Sequence, residues 1–229
     1  MRETIDAIYS YAGRTQIPLG HALPVRIGGF GGAMGLADYI RNERITHVID
    51  ATHPFAAEMS RHAVEACAVA NVPLVALERA PWSRTTGDIW IEVADIAGAI
   101  DHLPEQRARV FLAIGRQHIA PFAAKPQHVY TLRFVDPLKG ALPLPEAEVI
   151  VSRGPFTLEG DRETMRSRGI EWLVARNSGG SGARAKIDAA RELRLPVIMI
   201  ARPALPERQR LGSAEDVLAW LAHDARLGA

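Results

Sequence analysis

Short apolar runs rich in Val, Ile and Leu recur along the chain, and most are followed by a polar or Gly-rich loop and then by apolar positions at helical spacing. This alternation is typical of parallel strands joined by helices, so the pattern predicts an α/β fold with parallel sheets. The runs predict strands at residues 25–28, 47–51, 74–78, 110–114, 129–135, 149–152, 172–175 and 197–201. The helical spacing predicts helices at residues 35–42, 56–70, 158–168, 183–194 and 213–222.

Two stretches of the chain share one order of features. Residues 48–81 and residues 172–203 each run from an apolar strand through a polar loop and an Ala-rich helix to a second strand, which an arginine and a proline follow. A duplication and the common architecture of strand–helix–strand units both explain this match, so the choice stays open. The polar stretch 101–109, which contains Pro104, is the best place for a boundary between two α/β halves.

The charge balance argues against nucleic acid or an anionic membrane as a partner. The chain has 27 basic and 26 acidic residues and a formal net charge of +1, so no overall field draws it to such a surface. Cys67 is the only cysteine, which excludes a disulfide framework and a multi-cysteine metal site. Because the sequence shows no targeting segment and no apolar run of bilayer length, we expect a cytoplasmic protein.

Basic side chains follow five of the predicted strands. In parallel sheets the ligand lies beyond the carboxyl ends of the strands, so residues directly after strands are the first candidates for function. These positions carry Arg79, Arg116, Arg153, Arg176 and Arg202. A single arginine there is more often a solvated or salt-bridged loop residue, but five together predict a cleft for a ligand with several carboxylate or phosphate groups.

The segment 176–182 (RNSGGSG) follows a predicted strand and leads into a predicted helix. Unpaired backbone N–H groups and the positive end of a helix would meet there, which favours an anion site. Residues 180–185 also fit the G-x-G-x-x-A form of the dinucleotide fingerprint, with Arg202 where an arginine favours the 2′-phosphate of NADP. Alone this pattern is weak, because glycines after a strand often serve only to form a tight turn.

Two other loops at strand ends are candidate parts of the site. Residues 28–32 (GGFGG) allow a flat ligand or a phosphate to approach the backbone, but they lack the lysine of a P-loop. Residues 50–55 (DATHPF) bring an acid, a hydroxyl, an imidazole and an aromatic ring into one turn. Asp50 or Thr52 can equally cap the next helix, and His53 can be a turn residue without a chemical role.

Two kinds of chemistry find no support in the sequence. No cluster of His, Asp or Glu has the spacing of metal ligands, so we expect no metal site. No G-x-S-x-G elbow is present, which argues against acyl transfer.

On these motifs the chain resembles the precorrin-6A reductases of cobalamin biosynthesis. The motifs lie along nearly its whole length: residues 12–15 (AGRT), 25–32 (VRIGGFGG), 50–56 (DATHPFA), 152–157 (SRGPFT), 176–180 (RNSGG) with Lys186, and 196–203 from PVI to RP. The DATHPF, RGPF and SGG strings at these separations form a specific combination.

The resemblance implies an NADPH-dependent reductase of two Rossmann-like domains, at residues 1–107 and 108–229, with the substrate held between them. Hydride from NADPH would reduce one double bond of precorrin-6A to give precorrin-6B. The acetate and propionate arms of that macrocycle would account for the basic strand ends.

The same resemblance implies roles for particular residues. Asp50 and His53 are candidate catalytic residues, and the proton donor is left open. The cofactor is expected to contact Gly28, Gly29, Thr52, Arg176, Asn177, Ser178, Gly179, Gly180 and Arg202. The substrate is expected to contact Arg14, Thr15, His53, Phe55, Arg116, Arg153 and Lys186.

The chain departs from the family pattern near its N-terminus. Family members usually begin with an apolar strand and a G-G-T-x-E-A loop, whereas this sequence reaches Arg14 without them. We therefore expect a late start or a first half that lacks one strand–helix unit. A non-redox tetrapyrrole-binding or anion-binding module on the same fold is the main alternative, and a nucleotide-sugar or phosphosugar enzyme is the third.

Overall fold

The computed structural model describes residues 5–12, 23–135, 137 and 140–227, and only the backbone of residues 224–227. Its strands are β1 Tyr9–Tyr11, β2 Val25–Ile27, β3 Val48–Asp50, β4 Leu74–Leu77, β5 Ile89–Val93, β6 Arg109–Ala113, β7 Val129–Phe134, β8 Ala147–Val151, β9 Trp172–Arg176, β10 Pro196–Ile200 and β11 Gln209–Leu211. Its helices are α1 Gly32–Asn42, α2 Ala57–Ala70, α3 Ile96–Asp101, α4 Leu158–Ser167, α5 Ala185–Glu192 and α6 Ala214–Leu227. Within the described part of the chain, no helix combines the length and the hydropathy that crossing a bilayer requires.

The eight predicted strands and the five predicted helices are confirmed, with ends that differ by a few residues. The pattern does not predict β1, β5, β11 or α3. Three of these four elements are too short to show a periodicity, and β5 mixes buried and exposed positions.

The two matching stretches of sequence form the same structural unit. In one, β3 and β4 are adjacent parallel strands joined by α2. In the other, β9 and β10 are adjacent parallel strands joined by α5. The prediction of two strand–helix–strand units is therefore confirmed, and whether they arose by duplication stays open.

The chain divides into two compact units. The first contains residues up to 52, residues 56–77 and the segment from residue 205 onward, and the second contains residues 53–55 and 78–204. This division differs from the boundary predicted after residue 107. Residues 78–107 group with the second unit because β5 pairs with β10 along its whole length.

The second unit is built on a six-stranded parallel sheet in the order β8-β7-β6-β9-β10-β5. From β6 the chain adds β7 and β8 on one side and then β9 and β10 on the other, while β5, from earlier in the chain, takes the sixth place. The five strands from β6 to β10 follow the strand order of doubly wound nucleotide-binding folds, in which ligands bind where the order reverses. In this sheet the order reverses at the carboxyl ends of β6 and β9.

Alternate residues of the central strands fill an apolar layer on each face of this sheet. Val110 and Leu112 lie in one layer, together with Phe122 from the 3₁₀ helix Ala120–Ala124. Phe111 lies in the other layer, which α4 and α5 cover through residues such as Ile187. Because both faces are buried, the carboxyl ends of the strands are the natural place for a ligand.

The first unit contains two small parallel sheets, one of β1 and β2 and one in the order β11-β4-β3. Helices α1 and α2 pack together through a cluster that includes Leu36, Ile40, Ala63 and Cys67. This packing holds the start of α1, and with it the Gly-rich loop after β2, in a fixed place.

Candidate anion-binding site

Arg176 ends β9, next to the point where the strand order of the second unit reverses. Its guanidinium carbon lies 4.8 Å from the centre of the Phe55 ring. Burial lowers the pKa of Arg176 below its ordinary value. Within the described part of the chain, its buried Nε has no hydrogen-bond partner and its guanidinium forms no ion pair. A partly desolvated cation without a counter-ion favours binding of an anion.

His53 and Phe55 pack together in the second unit. The N–H of Phe55 donates to His53 Nδ1 at 3.2 Å, and the ring centres are 5.8 Å apart. Although the residue is exposed overall, burial of part of the ring and then four neighbouring cations lower the pKa of His53 to about 4. The cations, in order of effect, are Arg79, Arg176, Arg202 and Lys186. At neutral pH the imidazole is therefore uncharged and surrounded by positive charge.

The loop after β9 is bound to the segment 78–82 by the side chain of Asn177. Its Oδ1 accepts from the N–H of Trp82 at 2.7 Å, and its Nδ2 donates to the carbonyl of Trp82 at 2.9 Å. Trp82 Nε1 in turn donates to the carbonyl of Gly180 at 2.6 Å. The predicted cofactor contact Asn177 thus uses its amide to hold two backbone segments together.

Gly179 and Gly180 allow these two segments to approach each other closely. A Cβ on Gly179 would lie 2.2 Å from the carbonyl oxygen of Ala80, and a Cβ on Gly180 would lie 2.5 Å from Cδ of Arg79. Both glycines also have a left-handed backbone, with φ of 68° and 69°. Packing against the Ala80 backbone therefore requires glycine at position 179, whereas at position 180 the left-handed backbone favours glycine, whether or not a ligand also approaches them.

Arg202 supports the same loop from the side of β10. Its Nε donates to the carbonyl of Asn177 at 3.0 Å, and its Nη2 donates to the carbonyl of Ser178 at 3.2 Å. Its Nη1 lies 2.7 Å from Oε1 of Glu78, and both side chains are largely buried. These contacts favour a structural role for Arg202 over the predicted contact with a 2′-phosphate.

Lys186 lies in the first turn of α5 and is buried. Its Nζ donates to the carbonyl of Ala183 at 2.6 Å and lies 5.1 Å from the centre of the Trp82 ring. Burial, and next the positive charge of Arg133, lower the pKa of Lys186 to about 8, while Asp161 raises it. Lys186 therefore stabilises the end of the loop after β9 at Ala183, and it changes charge just above neutral pH.

A second buried cation fixes the RGPF loop after β8. Arg133, on β7, forms an ion pair with buried Asp161 of α4. Its guanidinium carbon also lies 3.8 Å from the centre of the Phe156 ring. Arg153, at the start of this loop, is exposed at the same edge of the sheet as Arg176.

Four of the five strand-end arginines lie along one edge of the six-stranded sheet: Arg116, Arg153, Arg176 and Arg202. The fifth, Arg79, is exposed beside Gly180, and its guanidinium has no hydrogen bond or ion pair to any described residue. The predicted contacts Arg14 and Thr15 lie outside the described residues.

In the first unit, Asp50 is a buried carboxylate with both oxygens engaged. Oδ1 accepts from the N–H of Thr52 at 3.1 Å and from its hydroxyl at 2.6 Å, and Oδ2 accepts from Ser60 Oγ at 2.6 Å. Nη2 of Arg208 lies 3.9 Å from Oδ2. Because Ser60 belongs to α2, these bonds tie the end of β3 to that helix, which favours a structural role for Asp50 and Thr52.

The Gly-rich loop of the first unit is bonded to β1 and to Arg26, and the N–H of Gly28 donates to the carbonyl of Tyr11 at 2.8 Å. Arg26 donates to the carbonyls of Gly28 and Gly29 at 2.6 and 2.7 Å, and its guanidinium carbon lies 3.8 Å from the centre of the Phe30 ring. Among the described residues, no atom lies within 4 Å of a Cβ built on Gly28 or Gly29.

Sequence reasoning missed four residues that shape the site: Glu78, Trp82, Arg133 and Asp161. Arg133 gave a usable signal, because a charge inside an apolar run such as 129–135 needs a buried partner. For Trp82 and Glu78 no signal was available, since their partners lie about a hundred residues away in sequence and meet them only in the folded chain.

Comparisons with known proteins identify relatives of this chain. The family model described as precorrin-6x reductase CbiJ/CobK matches residues 1–222. A precorrin-6A reductase of Rhodobacter capsulatus is 57% identical over 217 residues, which cover 95% of this chain and 86% of that protein. A precorrin-6A reductase of a Sinorhizobium species is 44% identical over 218 residues, with 95% and 84% covered. A solved structure described as CobK precorrin-6A reductase aligns with a TM-score of 0.91 and 56% identity, covering 94% of this chain and 86% of the other.

Proposed function

The chain belongs to the precorrin-6x reductase CbiJ/CobK family of cobalamin biosynthesis, and we propose that it reduces precorrin-6A to precorrin-6B with NADPH. Membership of a reductase family implies a nicotinamide cofactor, and the choice of NADPH is part of the proposal. When bound, the cofactor supplies the hydride. The chain itself must bind and orient both ligands, exclude water and provide for one proton.

The observation that carries this proposal is the state of Arg176. Its guanidinium is partly buried at the reversal point of a doubly wound sheet and has no counter-ion among the described residues. A carboxylate or phosphate oxygen there would restore the hydrogen bonds that burial removes. Arg79 is a second cation available to the same ligand, and Arg116 and Arg153 extend the basic edge toward β8.

A macrocycle with several carboxylate arms fits a basic edge of this length. Neighbouring strands are about 4.8 Å apart, so the ends of β8 and β9, three strand spacings apart, are separated by about 14 Å. We assign Arg116 and Arg153 to carboxylates of the substrate. Gly28 and Gly29 are the contacts we assign to the cofactor in the first unit.

The test is to mix purified protein with NADPH and precorrin-6A and to follow the loss of NADPH absorbance. We expect NADPH to be consumed only when precorrin-6A is present. If precorrin-6A binds and no NADPH is oxidised, the reductase proposal fails and the non-redox binding module is favoured.

A pair of variants connects the activity to the site. Arg176→Ala removes the cation that has no counter-ion among the residues the structure describes, and Arg166→Ala removes an exposed arginine from the last turn of α4. Loss of one charge-assisted hydrogen bond costs about 1.5–3 kcal/mol, so Arg176→Ala should raise KM for at least one ligand by roughly 10-fold to 150-fold. Arg166→Ala should leave both KM values unchanged.

A further inference from the structure

Arg133 and Asp161 form an ion pair that lies almost wholly inside the second unit. The side chain of Arg133 is 10% exposed and that of Asp161 is 2% exposed. Removing two charges from water costs free energy that their attraction only offsets, and apolar side chains of similar size often hold a fold equally well. Stability alone therefore does not account for these charges between β7 and α4.

The guanidinium of Arg133 has a second contact, with the RGPF loop at residues 153–156. Its carbon lies 3.8 Å from the centre of the Phe156 ring, well within the range of a cation stacked on an aromatic face. The bond to Asp161 holds the guanidinium in place, so the ion pair also fixes the planar surface on which the Phe156 ring packs. An aliphatic side chain at position 133 would offer no such surface.

The Phe156 ring in turn packs against the backbone of its own loop. A Cβ built on Gly154 would lie 3.4 and 3.5 Å from two carbons of this ring, and Gly154 directly follows Arg153 in the chain. The start of the loop is bonded as well, because the N–H of Ser152 donates to the carbonyl of the last residue of β7 at 2.9 Å. A ring held by Arg133 therefore limits where the backbone beside Arg153 can lie.

We propose that Arg133 is a positioning residue for the substrate: its guanidinium holds the Phe156 ring, and the ring holds the loop from which Arg153 binds a carboxylate arm of precorrin-6A. This inference rests on the proposed function, which assigns Arg153 to the substrate. Because Arg133 is largely buried, it acts through Phe156 and takes no part in the transfer of hydride or proton. Loss of the stacking contact should therefore weaken substrate binding and leave kcat and cofactor binding as they are.

The first test replaces the ion pair without leaving a buried charge. Arg133→Met alone would leave Asp161 without this partner, so the variant is Arg133→Met/Asp161→Leu, which keeps apolar volume between β7 and α4. Because a displaced Arg153 loses about one charge-assisted hydrogen bond, the Kd of precorrin-6A should rise at least about 10-fold, measured by quenching of tryptophan fluorescence without NADPH. The Kd of NADP⁺ should not change. The control Arg107→Gln/Glu146→Gln removes an exposed ion pair before the amino ends of β6 and β8, and it should change neither constant. An unchanged Kd of precorrin-6A in the folded Arg133→Met/Asp161→Leu variant would overturn the proposal.

The second test keeps the ion pair and changes the ring. Phe156→Leu removes the aromatic face, whereas Phe156→Tyr retains it. Phe156→Leu should raise both the Kd and the KM of precorrin-6A at least about 10-fold with kcat unchanged, and Phe156→Tyr should behave like the wild type. A general loosening of the second unit would weaken NADP⁺ binding too, so the difference between the two ligands identifies positioning. Equal Kd values of precorrin-6A for the two variants would overturn the proposal.

The third test asks whether the effect of the ring passes through Arg153. In an Arg153→Ala background, Phe156→Leu should change the Kd of precorrin-6A by less than about two-fold, because the contact that the ring positions is already gone. Two effects that multiply in the double variant would overturn the proposal. A wild type that binds no precorrin-6A would refute the proposed function instead, whereas a wild type that binds and reduces it, with Phe156→Leu unaffected, would refute only the role of Arg133.

Discussion

Asn177 and Trp82 form a reciprocal pair of hydrogen bonds. The side-chain amide of Asn177 accepts from the backbone N–H of Trp82 at 2.7 Å and donates to the backbone carbonyl of Trp82 at 2.9 Å. This pairing joins the loop after β9 to the segment that carries Glu78 and Arg79. The position of Arg79, one of the cations proposed to bind the ligand, therefore depends on a side chain that need not contact the ligand itself.

The first prediction concerns this pair. Asn177→Ala leaves a partly buried N–H and carbonyl without partners, so it should lower the free energy of unfolding by about 1–3 kcal/mol. The loosened loops should also weaken NADP⁺ binding. Urea denaturation and a binding titration measure the two effects. Asn177→Asp keeps the acceptor but loses the donor, and it should fall between the wild type and Asn177→Ala in stability; equal stability of all three proteins would contradict the assignment.

The second prediction compares two glycines of the same loop. Gly179→Ala places a Cβ against the carbonyl of Ala80 in a left-handed backbone, whereas a Cβ on Gly182 meets no atom within 4 Å. Gly179→Ala should therefore cost at least about 2 kcal/mol in unfolding free energy, the sum of the left-handed strain and the clash. Gly182→Ala should change it by less than about 0.5 kcal/mol. If both substitutions are tolerated, the glycine at 179 is not required by packing.

The third prediction assigns different roles to two arginines. Arg202 is held by Glu78 and by two loop carbonyls, so Arg202→Ala should lower stability and weaken NADPH and NADH binding to a similar degree. A double-mutant cycle of Arg202→Ala with Glu78→Gln should give a coupling energy of at least about 1 kcal/mol.

Arg79 provides the comparison, because none of the described residues pairs with its exposed guanidinium. Arg79→Ala should leave the stability within about 0.5 kcal/mol of the wild type and weaken binding of anionic ligands. The reverse result, in which Arg202→Ala removes only the preference for NADPH and keeps full stability, would restore the 2′-phosphate role predicted for Arg202.

The fourth prediction follows from the buried Lys186. Its pKa falls from 10.5 to about 8 on folding, so between these two values the unfolded chain binds more protons than the folded one. The free energy of unfolding should rise with pH across that window, by at most about 3 kcal/mol. Below pH 8 both states carry the proton, and the cost of the buried charge is fully present. The difference in stability between the wild type and Lys186→Met isolates this effect, and a difference that is flat from pH 8 to 10 would contradict it.

The central strands were predictable because both faces of their sheet are covered, which makes them continuous apolar runs such as that of β6. β5 was not predictable in the same way. It lies at the edge of the sheet, where Ile89 and Glu92 are exposed, and only its pairing with the distant β10 makes it a strand of this sheet.

The candidate site was predictable in part for a similar reason. Residues after parallel strands reach one edge of a sheet, so the sequence alone identifies a basic edge. The sequence cannot show which arginine already has an ion-pair partner, because Glu78 meets Arg202 only when two distant segments of the chain pack together. Arg202 has a counter-ion and Arg176 has none among the described residues, and this difference is a property of the fold.

The last prediction tests whether Asp50 takes part in the reaction. Its two oxygens accept three hydrogen bonds from Thr52 and Ser60, so Asp50→Asn, which replaces one acceptor by a donor, should lower the free energy of unfolding by about 1–3 kcal/mol. Ser60→Ala removes only the bond to α2 and should cost less. At a temperature where both variants are folded, kcat should stay within a few-fold of the wild type. A loss of kcat above about 100-fold in Asp50→Asn, with normal activity in Ser60→Ala, would assign proton transfer to Asp50.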